Sequence, residues 1–188
     1  MSTFLASASA ATSTAVLLWA GVSHVVHHSS FERALAAHEL WPKKLVPGVA
    51  ASVVAAEVAI GILGALAVVG ITAVTIEVAF IAASVTYAAF SIYAAVLYWL
   101  RGEAACGCSS FDEKVNIWTI GRTVALTVGA VAALVLPASV FPEAMSVQEV
   151  TTITLASAAL GLLLWNLPAA LQDTTPMMPN SIEPSALK

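Results

Sequence analysis

The two cysteines of the chain, Cys106 and Cys108, stand one glycine apart in a polar stretch, residues 101–114, that interrupts an otherwise apolar sequence. Arg101, Glu103, Asp112, Glu113 and Lys114 place five charged side chains there, out of seven basic and eleven acidic in the whole protein. Thiols at i and i+2 on an extended chain have Cα atoms near the upper limit for a disulfide, about 6.8 Å, so a bridge between them requires a bend. Gly107 is the residue that supplies one, because it reaches positive φ without a Cβ clash. A small strained ring is more readily reduced than a stapling disulfide, which points to thiol–disulfide exchange. Arg101 and Lys114 favour a thiolate, and the three carboxylates oppose them. Two thiols without function are the plain alternative.

His24, His27, His28 and His38 are the four histidines, and all fall at the end of the first apolar segment or just after it. At i and i+4 on a helix, His24 and His28 share a face, and with Cys106 and Cys108 they make a nitrogen and sulfur donor set suited to zinc or copper. Interfacial histidines bonded to headgroups, water or carbonyls account for the same placement. Charge inside a membrane is costly and asks for a partner. Glu57 falls about 15 Å below the cysteine-side surface and Arg122 about 10 Å below it, at 1.5 Å per helical residue, so an ion pair between them is expected. A register-fixing pair and a proton relay are both consistent with that pairing. Glu77 lies nearer the opposite face, where it snorkels or is protonated.

The elements that must position these groups follow from composition. With 60% hydrophobic and 10% charged residues and a mean hydropathy of +0.92, the chain departs from soluble domains, in which about 25% of residues are charged. A multi-pass protein of the cell membrane, bathed in lipid, is the class that fits. A formal net charge of −4 and the lack of a basic patch exclude nucleic acid as a partner. The first fifteen residues contain no Lys or Arg, so the first apolar run reads as a retained helix and not a cleaved signal.

A span needs about 20 apolar residues, and five segments qualify: 10–28, 47–69, 71–100, 115–136 and 147–171. The fold class expected is an all-α integral membrane bundle of four to five transmembrane helices, one domain over residues 1–171, with a solvated, poorly ordered tail over 172–188. The last segment is the weakest, with Asn166 and Pro168 near its end. Gly70 breaks the second segment from the third. Five spans put Arg33, Lys43, Lys44, Arg101, Lys114 and Lys188 on one side with the cysteines and no Lys or Arg on the other, which places the cysteine loop in the cytoplasm. Trp41, Trp99, Trp118 and Trp165 fall at segment ends on that side. An aromatic belt explains them; alternatively, Trp99 and Trp118 wall a site for a flat ligand such as a quinone.

Several of these residues together resemble a known family, the methylamine utilisation protein E (MauE) family, and more distantly the DoxX-like membrane proteins. The resemblance rests on Ala20-Gly21-Val22-Ser23-His24, on His38-Glu39-Leu40 followed by Pro42, and on Glu57 with Gly61. It continues through Tyr98, Arg101-Gly102 and Cys106-Gly107-Cys108 to Trp118 and Arg122. It implies a small membrane protein that serves a thioredoxin-like partner in forming or managing disulfides, in the namesake case during maturation of methylamine dehydrogenase. Cys106 and Cys108 would then be the redox pair, with Glu57 and Arg122 the polar residues inside the bundle. Departures occur at Ser109-Ser110, where the family usually has Phe-Gly, at Thr123 after Arg122, where Asn is usual, and at His24, near which a Lys is common. Disulfide formation belongs to the oxidising side of a membrane, whereas the Lys/Arg count faces the pair inward. A reduced pair, a route for electrons across the membrane and a metal site are the roles compatible with that orientation. A non-enzymatic membrane subunit or His/Cys metal carrier is the competing class, and a small-solute transporter would use Glu57, Glu77 and Arg122.

Overall fold

The computed structural model describes residues 2–68, 76–102, 104, 114–135 and 146–172. They form α1 (Ser2–Val26), α2 (His28–Ala37), a 3-10 turn (Lys43–Leu45), α3 (Val46–Val68), α4 (Ile76–Arg101), α5 (Ile117–Val135) and α6 (Val147–Gln172). Every α-helix except α2 is long and apolar enough to cross a membrane, which makes five spans among the described residues. The chain is therefore an all-α membrane helix bundle, as its composition implied. Cys106, Gly107 and Cys108, the Gly70 break and the tail expected to be poorly ordered lie outside the described residues.

Helix α1 is the axis of the bundle. Over half of its apolar window, 56%, is buried, against no more than 33% for any other span. Its inward positions explain why: Ala6, Ser7, Ala10 and Ser13 are small and sealed. Lipid tails are as apolar as leucine, so helices in a membrane associate through close packing and interhelical hydrogen bonds. Gly61 and Gly64 of α3 provide the first, lying under the Leu18 backbone and the Thr14 side chain of α1. Polar stitches to α6 provide the second: the Ser157 hydroxyl donates to the Ala8 carbonyl at 3.2 Å, and the Thr12 hydroxyl reaches the Ser157 carbonyl at 3.5 Å. The pairings Gly61 with Leu18 and Gly64 with Thr14 make α1 and α3 antiparallel. Ala10 packs with Phe80 and Ala133, and Leu17 with Tyr87 and Leu126, so α4 runs with α1 and α5 against it.

Two expectations are corrected. The first helix starts at Ser2 rather than at residue 10, because small serines and alanines of low hydropathy fill its tightest contacts. The connection after it contains α2, whose Phe31, Ala34 and Leu35 at i, i+3 and i+4 form an apolar face. Phe31 and Leu35 pack on Val46 and Ala50 of α3, leaving α2 across one end of the bundle. The last segment, expected over 147–171, is α6 over Val147–Gln172 and passes through Asn166 and Pro168. The Asn166 side chain donates back to the Leu162 carbonyl at 2.8 Å, and a Pro is tolerated in a span where neighbouring groups satisfy the freed backbone.

Side chains set the helix starts. Asn116 caps α5, accepting the Thr119 amide at 2.9 Å while its own amide donates to the Thr119 hydroxyl. Ser146 and Glu149 make the same reciprocal box at α6.

A Cβ at Gly61 would sit 3.0 Å from three Leu18 atoms, two of them backbone, whereas one at Gly48 would meet nothing within 4 Å. Gly61→Ala is expected to lower stability by about 1–3 kcal/mol, and Gly48→Ala to leave it unchanged or raised by less than about 1 kcal/mol. Thermal unfolding in detergent measures both; equal melting temperatures for the two variants would contradict the packing.

Candidate functional site

Helical periodicity turns chemistry-bearing side chains of four helices toward one space. In α1, Leu17, Ala20 and His24 recur every three to four residues, as do Val49, Val53 and Glu57 in α3 and Thr119, Arg122 and Leu126 in α5. Tyr87, Phe90, Ala94 and Leu97 make the matching stripe on α4. These residues enclose a cavity of about 360 Å³, closed at one end by Phe31, Leu35 and His38 of α2 and its C-terminal edge, together with Trp41. Its walls are almost entirely apolar, so its few polar groups decide what it can do.

The dominant one is a buried pair. His24 Nδ1 and Glu57 Oε2 are 2.6 Å apart, with their side chains 5% and 1% exposed. Against an ionised Glu57, which offers only lone pairs, Nδ1 is the donor. The imidazole stacks on Phe31 with ring centroids 4.1 Å apart and planes at 16°. Its second nitrogen, Nε2, is buried and has no hydrogen-bond partner. At the α2 end, His38 Nδ1 lies 2.7 Å from the Tyr93 hydroxyl. Deeper in, the Tyr87 hydroxyl donates to the Ser13 carbonyl. Arg122 lies 5.6 Å from the centre of the Trp165 ring and donates to the Trp165 carbonyl at 3.3 Å.

Sequence-derived candidates fare differently. Glu57 and Arg122 both line the cavity, but the ion partner the structure gives Glu57 is His24, not Arg122. Helix α3 packs on α1 and α4 rather than on α5, so the imidazole of His24 on α1 is the nearer partner. His24 and His28 do not share a helical face. The helix breaks at His27 (φ −108°, ψ 32°), whose ring nitrogen lies 3.1 Å from the Ser23 carbonyl. His28 instead meets Glu32 at 3.3 Å on the surface of α2. Among the described residues no cluster of three or more His, Cys, Asp or Glu has the arrangement to hold a metal. Trp99 is 86% exposed and Trp118 47% exposed, both on outer faces, and the tryptophans of the cavity are Trp41 and Trp165. Glu77 stands exposed in the first turn of α4, where the helix dipole favours a carboxylate.

Arg101 donates to Glu39 at 2.6 Å, joining the end of α4 to the connection after α2. Gly102 then turns the chain at φ 67°, with its amide donating to the Tyr98 carbonyl at 2.9 Å. Just beyond, the Val115 amide donates to the Ala104 carbonyl at 2.7 Å. Val115 and Leu97 are sealed and line the cavity. The stretch carrying Cys106 and Cys108 therefore leaves from and returns to the cavity's rim. Tyr87, Tyr93 and Phe31 were not singled out from sequence; the two tyrosines, rare polar aromatics inside an apolar span, were the signal available.

The family model for methylamine utilisation protein MauE matches residues 1–136. The chain belongs to that family and is a membrane protein linked to methylamine utilisation. No curated protein and no solved structure matches it. The match covers α1 to α5, so Trp165 reaches the cavity from beyond it.

Removing one partner of a buried ion pair strands the other, at a cost of about 3–5 kcal/mol. Glu57→Ala should destabilise the protein by that order, and the His24→Phe, Glu57→Leu double variant by less than the sum of its single changes. Denaturant unfolding in mixed micelles measures the coupling, and strict additivity would show that the pair does not act as a unit.

Proposed function

We propose that this MauE-family protein exchanges thiols and disulfides at Cys106 and Cys108 with a thioredoxin-like partner, as an accessory of methylamine dehydrogenase maturation. The observation that carries this reading is the pinned stem. The Ala104 to Val115 hydrogen bond holds both ends of the cysteine-bearing stretch together at the rim of a polar-ended cavity. Family membership supports the setting, and Gly107 supports a bend between the thiols.

In the exchange, the thiolate of one cysteine attacks a sulfur of the partner's disulfide and forms a mixed disulfide, releasing the partner's other sulfur as a thiolate. The second cysteine then attacks the mixed disulfide. The pair here is oxidised by two electrons to Cys106–Cys108, the partner is reduced to its dithiol, and the two protons pass with the thiols. Arg101, tied to Glu39, sets a fixed positive charge at the start of the stretch.

Thiol trapping followed by mass spectrometry across a graded dithiothreitol poise should show Cys106 and Cys108 passing together from two labels to none. A pair that stays fully reduced at every poise ends this reading. So does stoichiometric zinc or copper in the wild type that is lost in the Cys106→Ser, Cys108→Ser variant.

The Lys/Arg distribution supports a cytoplasmic cysteine stretch. Arg33, Lys43, Lys44, Arg101 and Lys114 all belong to the end of the bundle where α1 finishes and α5 begins. A membrane-impermeant maleimide should therefore leave both thiols unlabelled in intact cells and label them after permeabilisation. Labelling in intact cells would reverse the orientation.

A further inference from the structure

We propose that the cavity between α1, α3, α4 and α5 is a binding site for a quinone ring, and that His24 Nε2 is the atom that recognises the ring's oxygen. The proposal stands on the cavity and on one unmet atom, and it holds whether or not the cysteines are redox-active.

Among the described residues, His24 Nε2 is the buried side-chain polar atom without a hydrogen-bond partner. Buried polar atoms are nearly always paired, and an unmet one is costly, so it marks a group the protein leaves for something else. The rest of the imidazole is committed: Nδ1 to Glu57, one face to Phe31. The ring belongs to the cavity wall. Its second nitrogen is thus held in a fixed direction by a carboxylate behind it and an aromatic plane beside it.

The chemistry of Nε2 selects the ligand. In neutral His24, with Nδ1 donating to Glu57, Nε2 is an acceptor and calls for a hydroxyl; in the imidazolium it is a donor and calls for a carbonyl. A quinone oxygen is a carbonyl in the oxidised ring and a hydroxyl in the reduced one, so it satisfies both states. An acyl chain satisfies neither.

Shape and setting agree. At about 360 Å³ the cavity lies at the small end of ligand pockets, about 300–1,000 Å³, the size for one substituted ring with its tail outside. Phe31, Trp41, Phe90 and Tyr93 supply flat walls. Most of its lining comes from membrane-crossing helices, where an apolar ring is delivered by the bilayer. The sequence-derived quinone wall, Trp99 and Trp118, stands on the outside of the same bundle.

The test uses the full-length protein in nanodiscs, titrated with decylubiquinone and read by quenching of tryptophan fluorescence. Saturable binding of one ring per chain is expected, about tenfold weaker in His24→Phe through loss of the hydrogen bond. It should be abolished in Ala20→Phe, which fills the cavity while leaving His24 and Glu57 in place. Trp99→Ala and the Cys106→Ser, Cys108→Ser variant should bind as wild type does, which separates this site from the thiol chemistry. Quenching that never saturates and follows the probe-to-lipid ratio reports partitioning only and overturns the proposal. So does unchanged affinity in an Ala20→Phe protein whose helicity and melting match wild type.

Discussion

A carboxylate buried among hydrocarbon is the constraint around which this bundle is arranged. Glu57 is almost fully sealed, midway along a helix with no other charged residue, and no charged group stays in such a place without a partner held at the right distance. His24 provides it from the neighbouring helix. For the two to meet, α1 and α3 must approach closely, and Gly21 gives that room: a Cβ there would lie 2.8 Å from the Val58 side chain and 3.2 Å from that of Glu57. Gly61 and Gly64 extend the same close approach along the helix pair. The polar pair and the small residues are therefore one device, since neither geometry exists without the other.

The pair also explains why the space beside it stays open. An imidazole pulled toward Glu57 and stacked on Phe31 is unable to swing into the cavity and fill it. Helix α2 covers one end with Phe31, Leu35 and His38, and α6 contributes Trp165 from the far side. Both come from parts of the chain that look unremarkable in composition. One is a ten-residue amphipathic helix, too short to span a membrane, and the other is the least buried of the spanning helices.

Much of this was legible in the sequence. Five apolar segments predicted five spans, because that signal depends only on local composition. Glu57 and Arg122 stood out as costly intramembrane charges, and both line the cavity. What the sequence concealed was pairing. Helical depth placed Arg122 within reach of Glu57, but depth carries no information on which face of which neighbour is nearest, and His24 was nearer. The break at His27 was invisible for a related reason. His24 and His28 have ideal helical spacing, yet the backbone leaves helical geometry at His27 between them. Tyr93 and His38 are 55 residues apart, a contact that no local pattern encodes.

Glu39 adopts φ 52°, a left-handed turn that glycine makes freely and a residue with a Cβ makes at a cost of about 1–2 kcal/mol. The chain accepts that cost at the very residue whose carboxylate clasps Arg101. Backbone comfort and the side-chain clasp therefore pull in opposite directions at one position. Drift to glycine would relax the turn and unfasten the end of α4 in the same step, so an easier bend here comes only with a looser hinge for the cysteines.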